Sequence, residues 1–208
     1  MPVTLADLEE ARESCLEFLQ PLTSRDWSKP VPDLEWSCER TLQHVINTEL
    51  YYAMHLATRA SSPLPFPRGP AATTGLSPTE MLTELRAINA VLGAVIQSAP
   101  ADTRTAIGTA VTDVEGLVAI AGDELLVHTW DIGRGLGVPF VSRSPLTSRI
   151  LGRLFPWARR EGDAWPVFLW CNGRLALADR PRLGPDWPRW TQPLAEWNGI
   201  DPTASPAS

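Results

Sequence analysis

Proline placement constrains this chain more than any other feature. A proline in a helix interior removes a hydrogen bond and clashes with the preceding turn, so it marks a helix boundary or a segment outside helices. Pro21 closes a first helical pattern, and Pro30 and Pro32 break the loop that follows. Pro63, Pro65, Pro67 and Pro70 exclude helix and central strand, leaving a stiff linker. Pro78 and Pro145 stand at helix starts, and Pro100 lies just past a helix end.

Between these breaks the chain carries helical periodicity. Thr4 caps the first helix, with Asp7 three residues on as a variant of the capping box. Leu5, Leu8, Cys15, Phe18 and Leu19 follow at helical spacing. Ser37 caps a second helix that runs to about Arg59. Ser77-Pro78-Thr79-Glu80 opens a third, amphipathic through Met81, Leu85, Leu92 and Ile96. A fourth spans about Val114 to Ile132 and ends in Gly133, Gly135 and Gly137. Ser144-Pro145 starts a shorter fifth through Leu151 and Phe155.

Four long helices with proline-rich connections predict a mainly α chain, a helix bundle over residues 1–158. Bundle cores commonly hold metal sites built from facing helices. Past Arg160, Val167–Cys171, then Asn172-Gly173, then Arg174–Leu177 predict a small hairpin on a tight turn. Residues 159–208 hold five of the nine tryptophans: Trp165, Trp170, Trp187, Trp190 and Trp197. They predict a Trp/Pro-rich cap packed on the bundle, frayed over Pro202–Ser208.

Composition removes several function classes. The formal net charge is −6 with no basic cluster, which argues against nucleic acid because affinity there comes from phosphate neutralisation. No apolar run approaches the ~18–20 residues that span a bilayer. The acidic N-terminal stretch lacks the basic and apolar regions of a signal peptide. Cys15, Cys38 and Cys171 are odd in number and widely spaced, so a disulfide framework is not expected and a reducing cytoplasm is. No GxGxxG, P-loop, GxSxG or HExxH pattern occurs.

The fourth helix carries the strongest chemical signal. Glu124 and His128 are i and i+4, one turn apart on one face, and Asp131 continues the stripe. Their neighbours, Leu117–Ala121 and Leu125–Val127, are apolar on nearly every side, as in a buried helix. A buried carboxylate beside a buried imidazole needs partners, and a metal ion satisfies both. An ordinary i, i+4 ion pair satisfies them too, and Asp131 with Arg134 reads equally as a surface pair. The other two histidines, His44 and His55, lie on the second helix, 11 residues and so ~16 Å apart along its axis. Only one of them can join a shared ion, and periodicity does not choose between them.

Glu124-Leu-Leu-Val-His128-Thr-Trp130-Asp131-Ile-Gly-Arg134-Gly-Leu-Gly137 resembles a segment of actinobacterial DinB-like proteins. It is similar above all to the N-terminal domain family of mycothiol-dependent maleylpyruvate isomerase. Trp36 followed by His44 reproduces that family's Trp-to-His spacing, although Cys38-Glu39-Arg40 does not reproduce its Val-Arg-Asp. The resemblance covers residues 1–158 and implies a DinB-like four-helix bundle holding a divalent metal, usually zinc. Carried onto matching positions, the ligands are His44, Glu124 and His128, which selects His44 over His55. Asp131 would orient His128 from behind.

The implied activity is a thiol transferase or isomerase using mycothiol or a similar small thiol, which the metal holds as a thiolate. The implied partners are that thiol and an electrophile, with a homodimer as a further expectation. The alternative is a non-catalytic metal-binding bundle. Arg174, in the Asn-Gly-Arg turn, is the candidate anchor for an anionic substrate.

Overall fold

The computed structural model describes residues 1–64, 75–108, 110–158, 162–184 and 189–203. The expected linker prolines 65, 67 and 70, Trp187 and the last five residues lie outside that set. Among the described residues the chain is mainly helical. Its elements are α1 (Leu5–Leu19), α2 (Cys38–Thr58), α3 (Pro78–Ser98), β1 (Arg104–Ile107), β2 (Ala110–Asp113), α4 (Val114–Leu136), α5 (Ser144–Leu154) and α6 (Ala164–Cys171). None of the described helices is long and apolar enough to cross a membrane.

The helix starts follow local chemistry. Asp7 accepts from both the backbone N–H and the hydroxyl of Thr4, at 2.8 and 2.9 Å. Ser37 accepts from Arg40 N at 3.1 Å to cap α2. At α3, Glu80 accepts from Ser77 N at 2.8 Å and Ser77 Oγ accepts from Glu80 N at 3.3 Å, a reciprocal box.

α4 forms the middle of the molecule. Every residue from Gly116 to Thr129 is buried, because α1, α2 and α5 all pack against this one helix. α3 closes the arrangement by packing on α1 and α2. α4 also runs four residues past the expected Ile132, ending at Gly137 with φ 71°. Gly135 lies inside it because the α2 start comes close: a Cβ there would collide with Cys38 Sγ.

One expectation is corrected, the hairpin over residues 167–177. The segment Ala164–Cys171 is helix α6, and no hairpin forms around Asn172-Gly173. Asp163 caps it by accepting from Trp165 N at 3.1 Å, and Pro166 sits in the first turn, where its missing N–H costs nothing. Asn172-Gly173 ends this helix: Arg174 N donates to Leu169 O at 2.8 Å and Gly173 N to Trp170 O at 2.9 Å, a Schellman closure needing the positive φ of Gly173. A short apolar run fits strand and helix alike by periodicity, and capping decided for helix.

The hairpin that does form lies earlier, between α3 and α4. There β1 and β2 pair antiparallel with Arg104 opposite Asp113 and Ile107 opposite Ala110.

Candidate metal centre

α2 and α4 pack against each other and bring the expected residues to one place. His44 sits in the second turn of α2; Glu124 and His128 lie one turn apart on α4. His44 Nε2 lies 3.3 Å from Glu124 Oε2, and His128 Nε2 lies 3.2 Å from the same oxygen. The two imidazoles stand edge to face, with centroids 5.0 Å apart. One ligand atom from each of the three residues falls within 4.8 Å of the others. Glu124 and His128 are buried and His44 is half-buried, so the cluster opens on one side.

That side is a cavity of about 370 Å³, bounded by Leu34, Trp36, Asn172, Arg174 and Arg189. The volume falls in the range of small-molecule sites, ~300–1,000 Å³. Trp36 covers the histidines, its ring 4.9 Å from His44 and 6.5 Å from His128. A cavity of similar size, about 390 Å³, lies between α5 and Met1. Its Arg149 and Arg153 are paired with Asp7 and Asp113, and it holds none of the convergent ligands.

His55 is elsewhere and otherwise engaged. It is fully buried near the end of α2, where Nδ1 meets Tyr51 O at 2.9 Å and Nε2 accepts from Leu64 N at 3.0 Å. Those two bonds fix a neutral imidazole as a brace for the chain leaving α2.

A second layer surrounds the cluster. Asp131 Oδ2 lies 2.9 Å from His128 Nδ1, which turns Nε2 towards Glu124. Arg174 in turn donates to Asp131 from Nε at 2.9 Å and from Nη2 at 2.8 Å. The candidate substrate anchor therefore lines the cavity with its guanidinium held by a carboxylate.

Three members of this layer escaped sequence reasoning. Arg189 donates through Nη1 to Glu124 Oε1 at 3.3 Å and to Asp123 Oδ2 at 3.2 Å. Asn172 Nδ2 donates to Asp123 Oδ1 at 2.7 Å. Asp123 stood beside Glu124 in plain sight. No pattern in the tail pointed to Arg189, and Asn172 read as a turn residue.

The charges are set by this layer. Burial pushes the Glu124 carboxyl up, but hydrogen bonds from His128 and His44 and the charge of Arg189 outweigh it, holding it well below the usual carboxylate range. Burial lowers His128, yet Asp131 and Glu124 carry it up to about 9. Burial raises Asp123 to about 6, with Arg189 opposing. The cysteines are unsuited to nucleophilic work: all are buried, and burial raises Cys15 to about 12 and Cys38 to about 11.

Two histidines and a glutamate converging from two helices on an open cavity define a helical domain with a candidate metal site. The family model for the mycothiol maleylpyruvate isomerase N-terminal domain matches residues 8–133, more than half of the chain. The chain belongs to this DinB-like family. No curated protein and no solved structure matches it.

Proposed function

We propose that this protein is a metal-dependent thiol transferase or isomerase that uses mycothiol or a similar small thiol against an electrophilic carbon. The observation that carries the reading is the set of three ligand atoms within 4.8 Å of one another on the wall of a 370 Å³ cavity. His44, Glu124 and His128 hold the ion. A His₂Glu set is that of catalytic zinc sites, which keep one coordination position open. A divalent metal such as zinc bound there lowers the pKa of a thiol and keeps it as a thiolate at neutral pH.

The chain's own residues do the rest. Asp131 fixes the tautomer of His128 and leaves Nε2 to face the cluster. Burial works against the Asp131 carboxylate, but the hydrogen bond and charge of His128, and after them Arg174, hold it below the usual range, and Arg174 keeps it in place. Arg189 occupies Oε1 of Glu124, so Oε2 remains for the histidines' side. Trp36 shields that side from bulk water. The four long helices form the bundle that carries His44, Glu124, His128 and Asp131, and the described residues beyond 158 pack on it as a cap that supplies Arg174 and Arg189.

Two measurements test the reading. Protein purified without added metal should carry close to one equivalent of divalent metal, and His128→Ala should lose it. Less than about a tenth of an equivalent, unchanged by the substitution, would overturn the site. With metal present, the thiol and a panel of electrophiles should give S-conjugates. Bound metal with no conjugate from any of them favours a non-catalytic bundle.

A further inference from the structure

On the other side of Arg189 lies a second cavity, about 140 Å³, lined by Trp157, Trp190 and Trp197, with Ile200 at its rim. Arg189 borders both this groove and the metal cavity, so the two adjoin at this side chain. The walls are held in place. Trp190 N donates to Leu154 O at 2.7 Å and its indole N–H to Pro193 O at 3.1 Å. Arg153, itself only 1% exposed, donates to Trp190 O at 3.1 Å and to Thr191 O at 3.3 Å. Trp157 is buried and packs edge-on against Phe155 and Trp170, centroids 5.8 Å apart in each pair.

Size and lining select the occupant. An apolar cavity of about 150 Å³ takes up benzene, so a groove of about 140 Å³ has room for one six-membered ring between its walls. Three indoles offer that ring offset-stacked or edge-to-face partners. The Nη1 of Arg189 is engaged by Asp123 and Glu124, so its contribution is position: it sets the ring beside the ligand cluster.

We propose that this groove is a subsite for a single aromatic ring carried by the electrophile, placed next to the site of thiol addition. The proposal rests on the thiol-transfer reading for the identity of its ligand, while the groove itself is independent of it. With 4-fluorobenzyl chloride the chemistry balances simply. The thiol proton goes to solvent, an S–C bond forms at the benzylic carbon, the C–Cl bond breaks and chloride leaves with the electron pair.

The test uses the whole chain, as purified and again after chelator treatment. A ¹⁹F NMR titration with 4-fluorobenzyl alcohol should give a saturable response in both. Trp197→Ala should weaken it about fivefold or more, the scale of a lost aromatic contact. Ile200→Asp, at a rim position 62% exposed and so harmless to folding, should do the same. With metal and thiol added, the preference in kcat/KM for 4-fluorobenzyl chloride over 1-chlorobutane should fall by a like factor in both variants. No saturable response, or both variants binding the alcohol as tightly as the parent, overturns the subsite. Saturable ring binding without conjugate from either chloride upholds the subsite and overturns the thiol-transfer reading instead.

Discussion

Asp131 faces two partners at once: the imidazole of His128 and the guanidinium of Arg174. Asp131→Asn keeps the shape but loses the charge that fixes the imidazole. Loss of such an outer partner typically weakens metal binding about 10–100-fold, and competition against a chromophoric chelator should show that loss.

Glu49 is a different kind of buried acid. It is fully buried on α2, its Oε1 has no hydrogen-bond partner among the described residues, and Asn89 Nδ2 reaches its Oε2 at only 3.4 Å. Burial first, and then the charge of Glu124, push its carboxyl well above the usual range. The folded protein therefore keeps a proton that the unfolded chain releases near pH 4.3. Stability from this group is full below that pH and is lost as pH rises towards the raised value. Urea midpoints at pH 5 and pH 8 should fall more for the parent than for Glu49→Gln; equal falls would refute the assignment.

At this scale the sequence was readable where side chains share one helix. Glu124, His128 and Asp131 follow from turn arithmetic. The choice of His44 over His55 needed the family resemblance, because it depends on which end of α2 meets α4. Arg189 was invisible: its partners are 65 and 66 residues away, and no periodicity encodes such a distance.

Among the elements, those with capping chemistry were the ones foreseen. Ser37, Ser77 and Thr4 announced helices whose starts the structure reproduces. The β1–β2 hairpin was missed for a physical reason. Its buried positions are Thr105, Ala106 and Thr112, two of them polar and two of them adjacent, so no alternating apolar pattern appears. Thr105 Oγ1 donates to His55 O at 2.9 Å and Thr112 Oγ1 to Thr191 O at 2.9 Å, so this hairpin ties α2 and the C-terminal segment by hydroxyls. Gly135 shows the converse, a residue poor in helix propensity kept because a neighbour needs the room. Gly135→Ala should destabilise the fold by about 1–3 kcal/mol through overpacking against Cys38, read as a lowered denaturant midpoint at unchanged slope.

Across the whole molecule, Arg153 joins parts that are far apart in sequence. Almost wholly buried, it bonds Asp113 at 2.5 Å, where α4 begins, and the carbonyls of Trp190 and Thr191 in the C-terminal segment. Arg153→Met removes the cation facing the Asp113 carboxylate and the Arg153 donors to Trp190 O and Thr191 O, leaving Asp113 only Gly116 N and Thr191 O only Thr112 Oγ1. A loss of about 3 kcal/mol is expected, with limited proteolysis cutting the segment beyond residue 189 before the helices. If the segment resists cleavage as in the parent, the pin is not what holds it.

The position of Arg189 also sets an order in time. The three converging side chains are all synthesised by residue 128, and the guanidinium that occupies Oε1 of Glu124 follows 61 residues later. At ~5–20 residues per second, a ribosome takes about 3–12 s to cover that stretch. Over that interval Oε1 of Glu124 has no Arg189 to pair with. An ion bound at the proposed site in that interval would meet a Glu124 unpaired by Arg189, whereas in the finished protein Oε1 is taken and Oε2 alone faces the histidines.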